Sequence, residues 1–182
     1  MPTISANAVG LRSRLADVTG VVAYEPTVFE VISEEVLNRL SSVVMRAGEE
    51  AKQGRLTAAV RIFAEFVGND DEVAALDAAG SFETMGPNVP TDLMGIQQSN
   101  EYRGLSATDP SMLAKISAPV LLLQGGRSNV HSWFHAGVRY VAEHVTQATV
   151  HEFADLGLLA PMVAPEPVAK KIASFFDKVH QR

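Results

Sequence analysis

The chain has 182 residues, 47% of them apolar and 20% charged, which is the composition of an ordinary globular domain with a sizeable core. Its net charge is −6 and its 15 basic residues are scattered, which argues against a nucleic-acid surface because phosphate neutralisation needs clustered lysine and arginine. The lack of cysteine excludes disulfides and thiolate chemistry. With no leader pattern and no apolar run long enough to cross a bilayer, we expect a single cytoplasmic domain over residues 1–182, without membrane contact or cofactor.

The first half of the chain predicts one short strand among several helices. Val21 begins a run of β-forming residues that stops at Glu25-Pro26, and Ser33 can cap a helix whose apolar residues recur on one face. Clustered glycine and proline predict a loop before residue 92. The predicted elements of this half are helices over 4–17, 33–53, 56–67, 70–79 and 92–102, a strand over 21–24, and a loop over 80–92.

The last third of the chain has the pattern of a parallel strand–helix–strand unit. Residues 118–124 are an uninterrupted apolar run, which is typical of a strand that is buried on both faces. A helix over 132–144, a strand over 148–153, a loop and a helix over 165–179 follow. The fold class is therefore α/β, and we expect a right-handed crossover between the two strands.

Three short motifs, taken in this order, resemble the α/β-hydrolase superfamily. Tyr24-Glu25-Pro26 is similar to the family's post-strand Tyr-Glu-Pro, and Phe63-x-x-Phe66-Val67-Gly68 resembles part of its cap. The loop of residues 155–166 resembles the one that carries the family's Gly-His pair. The resemblance covers nearly the whole chain, and it implies a truncated α/β-hydrolase-like fold with about three parallel strands and a cap-like helical insertion over about 27–110.

The resemblance also implies that the family's catalytic triad is degraded in this chain. Leu158 occupies the position of the histidine, and a leucine cannot transfer protons. Ser5 falls near the nucleophile position, but it lacks the glycines of Gly-x-Ser-x-Gly, and the five strands that precede that turn have no counterpart. Ser128 and Asn129 stand where relatives often have the acid. We therefore expect no ordinary Ser-His-Asp hydrolysis.

A few polar side chains remain candidates for catalysis. Tyr24 and Glu25 end a strand, where open α/β sheets place ligands, although Glu25 can equally bond backbone amides. His131 and His135 are four apart on a predicted helix, but no third ligand is evident, so we predict no metal site. Asp155 can be a simple turn residue. The candidates for catalysis are Ser5, Tyr24, Glu25, His131 and Asp155.

An apolar pocket is expected between the cap helices and the ends of the strands. Ordinary core packing is the alternative role for its aromatic and methionine residues. The strand over 21–24 lacks the neighbour that the family places beside it, which predicts a homodimer or a partner chain at that edge, or cover by residues 1–17. The expected lining of the pocket is Tyr24, Phe63, Phe66, Met94, Trp133, Leu158 and Met162.

Four functions remain open at this point. The first is a degenerate α/β-hydrolase-like protein that binds a small hydrophobic molecule under its cap without hydrolysing it. The second is a triad-independent enzyme of cyclase, isomerase or lyase type, which works by orienting its substrate in an apolar cavity. The third is a residual hydrolase or half of a split hydrolase, and the fourth is an engineered fragment.

Overall fold

The computed structural model describes residues 18–181, apart from the side chains of residues 99 and 100. These residues build a parallel sheet whose strands are β1 (Val21–Tyr24), β2 (Val120–Gly125) and β3 (Ala148–Phe153), in that spatial order. The register pairs Val21 with Val120 and Val120 with Ala148. The predicted α/β class with three parallel strands is thus confirmed, and the predicted helix over 4–17 lies outside the described residues.

Most of the helices lie between the first two strands. We call residues 29–113 the helical segment; it begins with a 3₁₀ turn at Phe29–Val31 and ends before β2. The helix α7 forms the crossover between β2 and β3, while α8 and α9 follow β3. The boundaries are α1 Glu34–Lys52, α2 Leu56–Val67, α3 Asp70–Ala78, α4 Ser81–Met85, α5 Val89–Glu101, α6 Pro110–Leu113, α7 His131–His144, α8 Ala160–Val163 and α9 Pro165–His180.

The predicted loop over 80–92 is wrong, because the chain there forms α4, a 3₁₀ turn (Gly86–Asn88) and the start of α5. Pro87 and Pro90 lie in the first turns of the 3₁₀ turn and of α5, where the missing N–H of proline breaks no hydrogen bond. Phe82 is fully buried and anchors this stretch in the helical core. The short helix α8 likewise lies inside a stretch predicted as loop.

Alternate residues of β2 face the two layers of helices. Val120 and Leu122 pack in a cluster with Val138 of α7. Leu121 and Leu123 pack on the other face, in a cluster that includes Val168 of α9. Because both faces of β2 are covered, its sequence is a continuous apolar run, as the sequence pattern predicted.

Within residues 18–181, β1 pairs with β2 alone. The N–H groups of Val21 and Glu25 donate to Pro119 O (2.9 Å) and Leu123 O (2.8 Å), so the peptide groups of Val22 and Tyr24 face away from β2. An edge that no strand among the described residues covers is a template for association, and we propose that a second copy of the chain covers it, with a partner chain or residues 1–17 as the alternatives. Size-exclusion chromatography with light scattering should give the mass of two chains; a clean monomer at micromolar concentration would contradict this expectation.

No helix among the described residues is long and apolar enough to span a membrane.

Candidate functional site

A buried carboxylate, that of Glu25, lies at the carboxyl ends of β1 and β2. Glu25 is 2% exposed, and its backbone φ of 42° is in the left-handed region that residues with a side chain seldom adopt. Its Oε1 accepts hydrogen bonds from the Gly125 N–H (2.7 Å) and from Ser128 Oγ (2.7 Å), which also lies 2.8 Å from Oε2. The sequence predicted a carboxylate at this strand end, and the contacts show that it joins β1 to the loop after β2.

Burial raises the pKa of Glu25 above its usual value, although the hydrogen bonds from Ser128 and Gly125 lower it. The charge of His135 also lowers this pKa, whereas that of Glu72 raises it. His135 Nε2 lies 3.0 Å from Gly125 O and 3.9 Å from the Oε2 of Glu152 on β3. A carboxylate that is held in this way favours its protonated form more than a carboxylate in water does.

Of the histidine pair on α7, His135 contacts the site described above, and His131 contacts His135. The ring of His131 meets that of His135 edge-on, with ring centroids 5.7 Å apart, and His131 itself is exposed. Across residues 18–181, no group of three His, Asp or Glu side chains is placed to hold a metal ion. The pair therefore has no third ligand in the described part of the chain.

Tyr24 links the end of β1 to the loop after β3. Its hydroxyl donates to Gly157 O (2.8 Å), and its ring stacks on Phe153 with the centroids 6.2 Å apart. Burial raises the pKa of Tyr24, and the negative charges of Glu25 and Glu72 raise it further. The phenol therefore stays protonated and acts as a hydrogen-bond donor in this structure.

Glu72 of α3 is a second buried carboxylate, 4% exposed, and it was not among the residues that the sequence marked as candidates. Its Oε1 accepts from the Gly157 N–H (2.9 Å), and with Asn69 it forms a reciprocal capping box at the start of α3. Asn69 Nδ2 donates to Arg127 O (3.3 Å), and the Arg127 guanidinium pairs with Asp71 (2.7 Å). We call these five residues the α3 clasp, because they tie the helical segment to the loops after β2 and β3.

Leu158 comes directly after Gly157 of the α3 clasp in the sequence, and it packs into an apolar cluster between the helical segment and α7. The cluster gathers several residues that the sequence predicted to line a pocket. It places an aliphatic side chain where the resemblance implies an imidazole, so no proton acceptor is present at that position. We call this the Leu158 cluster; it includes Leu158, Phe63, Phe66, Val130, Trp133 and Phe134.

Other predicted site residues lie elsewhere. Met162 of α8 packs against a separate cluster in the helical segment, and Met94 is 53% exposed on α5. Tyr24 belongs to the cluster beneath α9. Asp155 is exposed, in the turn that the Leu156 N–H closes on Phe153 O (3.2 Å). Ser5 lies outside the described residues.

Two cavities stand out on the described surface. An open groove of about 610 Å³ lies beside the α1–α2 connection, and a smaller one of about 230 Å³ lies between the sheet and α9. Neither of the two is lined by Leu158, Phe66 or Trp133. Within the Leu158 cluster, Phe66, Val130, Trp133 and Phe134 are buried, whereas Leu158 and Phe63 are half-buried.

Comparison with known proteins identifies the fold. No protein-family model matches the chain, and no curated protein matches it. A solved structure described as an alpha/beta hydrolase from Sphaerobacter thermophilus DSM 20745 matches 87% of this chain at 21% identity, with a TM-score of 0.55. The match covers 58% of that structure's chain, so this chain spans less than two thirds of its length. The resemblance predicted from the motifs is thus confirmed at the level of the fold, which is that of part of an α/β-hydrolase.

Proposed function

We propose that the protein is a non-hydrolytic α/β-hydrolase-like protein that binds a small hydrophobic molecule between its helical segment and the carboxyl ends of its strands. The observation that carries this proposal is the environment of Leu158, which packs with Phe66 and Trp133 directly after Gly157. A leucine there offers no general base, and a serine nucleophile is inert without one.

The state of Ser128 supports the same proposal. Ser128 is 3% exposed, and its hydroxyl donates to the carboxylate of Glu25. A nucleophilic hydroxyl has to reach the carbonyl that it attacks, and this one is sealed in a buried pair. Ser128 therefore acts as a structural partner of Glu25.

The ligand class follows from the chemistry of the Leu158 cluster. Its side chains are aliphatic and aromatic, and it lies beyond the carboxyl ends of a parallel sheet, where open α/β folds bind their ligands. The side chains of the cluster pack against one another, so a ligand that enters it displaces some of them. The side chains of the cluster carry no charge that could pair with an anion, which favours a neutral ligand at this position.

Trp133 is the single tryptophan of the chain and is 4% exposed within this cluster, so its fluorescence reports on the site. We expect a saturable change in Trp133 emission on titration with geraniol, a small apolar alcohol. Leu158→Asp should weaken this binding at least about tenfold, since a buried carboxylate opposes an apolar ligand. The matched control Leu105→Asp should not, because Leu105 is exposed and outside the cluster.

The same preparation should hydrolyse p-nitrophenyl butyrate no faster than the buffer blank, and Leu158→His should not raise the rate. Hydrolysis above the blank that disappears in Ser128→Ala or Ser5→Ala would overturn the proposal. So would a Trp133 emission that does not respond to geraniol at any concentration.

The buried carboxylate favours a second candidate function, a triad-independent isomerase or lyase. Glu25 combines a raised pKa with a strand-end position near Tyr24 and His135, and such groups are frequent in acid–base sites. In this function the carboxylate reaches a substrate only once its bond to Ser128 has opened, because both groups are buried. Mass and NMR spectra of geraniol recovered after incubation distinguish the two candidates. Unchanged geraniol supports binding alone, whereas an isomer that is not formed by Glu25→Gln supports the enzyme.

A further inference from the structure

The smaller cavity lies at the opposite end of the sheet from the Leu158 cluster. It measures about 230 Å³ and opens between the amino-terminal ends of β2 and β3 and the second half of α9. We call the apolar lining residues the floor and the polar lining residues the rim. The floor consists of Pro119, Leu121, Phe175 and Val179, with the 49% exposed Val150 at its edge, and the rim consists of Gln147, Thr149, Lys171, Ser174 and Lys178.

The rim is cationic in an acidic protein. Lys171 and Lys178 are seven residues apart on α9, which places them on one face of the helix. Of the residues that line the groove, none is Asp or Glu, and within residues 18–181 neither lysine has a carboxylate within ion-pair distance. Burial lowers the pKa of His151 on β3, and the charge of Lys171 lowers it further, so Lys171 directs its charge towards β3.

The volume limits the size of an occupant. At roughly 30 Å³ for each non-hydrogen atom, the share of one water molecule in the liquid, the groove takes about eight such atoms, so the carbons of a medium-chain carboxylate fill it and the two oxygens lie outside, at the rim. This is smaller than the pockets that hold drug-sized molecules. An occupant with a short alkyl chain fills the apolar floor, and its polar end then lies at the rim.

We propose that this groove binds a medium-chain carboxylate, whose alkyl chain lies on Leu121 and Phe175 and whose carboxylate lies between the ammonium groups of Lys171 and Lys178. Burial of the methylene groups supplies most of the attraction, since it scales with the apolar area removed from water. The two lysines select an anion over a neutral molecule of the same length. This site is separate from the Leu158 cluster and does not depend on the function proposed above.

Isothermal titration calorimetry of the full chain with octanoate tests the proposal. We expect one saturable site, and about tenfold weaker binding in the double variant Lys171→Gln/Lys178→Gln, because exposed ion pairs each contribute a few-fold. The matched control Lys170→Gln should bind like the wild type, since Lys170 is exposed on the same helix but does not line the groove. 1-Octanol should bind about tenfold more weakly than octanoate.

Several outcomes would overturn the proposal. They are no saturable binding of octanoate, equal affinity in the wild type and the double lysine variant, or equal affinity for octanoate and 1-octanol. Octanoate binding that is lost in Leu158→Asp but kept in the double lysine variant would assign the ligand to the Leu158 cluster instead. Thermal unfolding of each variant checks that the fold is retained, which we expect because Lys178 is exposed and Lys171 is only half-buried.

Discussion

Replacing Glu25 by alanine is expected to lower the free energy of unfolding by about 3–5 kcal/mol, whereas glutamine at the same position should cost less than about 1 kcal/mol. Alanine leaves the Gly125 N–H and the Ser128 hydroxyl without an acceptor inside the fold, and each unsatisfied buried donor costs about 1–3 kcal/mol. In the glutamine variant, the amide oxygen can accept from Gly125 and the amide N–H₂ can donate to Ser128 Oγ.

Urea unfolding at pH 7 measures the difference between these variants as a shift of the midpoint at unchanged slope. Ser128→Ala is the matched control, because it removes one partner of Glu25 and leaves the bond from Gly125 intact. If alanine and glutamine at position 25 cost the same, the negative charge of Glu25, rather than its hydrogen bonding, would be what stabilises the fold.

The pH dependence of this stability has a defined sign. Folding raises the pKa of Glu25 above its ordinary value of 4.5, mainly through burial. Between pH 4.5 and the folded-state pKa, the native protein therefore binds a proton that the unfolded chain has released. The contribution of Glu25 to stability therefore increases as the pH falls from above the folded-state pKa towards 4.5. As the pH is lowered from 7 to 5, the free energy of unfolding of the wild type should therefore increase relative to that of Glu25→Gln. A difference between the two proteins that stays constant or decreases would contradict the raised pKa.

The positions of the strands followed from local patterns. The apolar run of 118–124 predicted a strand covered on both faces, and Val138 and Val168 supply that cover from α7 and α9. The same kind of local reasoning fails over 80–92, where clustered glycine and proline predict a loop and the chain forms helices instead. Proline in the first turn of a helix breaks no bond, and the burial of Phe82 supplies the tertiary contact that a local pattern does not contain.

The candidate site was predictable only in part. Glu25 and Leu158 stood out by their position along the chain, but the partner of Glu25, Ser128, is 103 residues away and was noted only as a degraded acid position. Glu72 was missed altogether. Asn69-x-x-Glu72 is a recognisable capping box, but nothing in that pattern encodes the bond to Gly157, which lies 85 residues further along the chain.

Gly157→Ala is expected to lower the free energy of unfolding by about 2–4 kcal/mol, through loss of the α3 clasp. A methyl group at this position would collide with the Oε2 of Glu72 and would lie 2.9 Å from Asn69 Nδ2. The bond from the Gly157 N–H to Glu72 then breaks and leaves a buried carboxylate oxygen without its donor. Glu72→Ala should cost a similar amount, and the two substitutions together should cost less than the sum, because they disrupt one contact.

Gly48→Ala is the matched control for this glycine substitution. Gly48 lies within α1, and a methyl group added to it would have no heavy atom of another part of the described chain within 4 Å, so alanine there should stabilise the protein by about 0.5–1 kcal/mol. The urea midpoint should decrease for Gly157→Ala and increase for Gly48→Ala. Amide hydrogen exchange should show loss of protection in α3 for Gly157→Ala alone. A Gly157→Ala protein as stable as the wild type would mean that the loop after β3 can move away from Glu72 at little cost. The clasp would then not be what holds the helical segment against the ends of the strands.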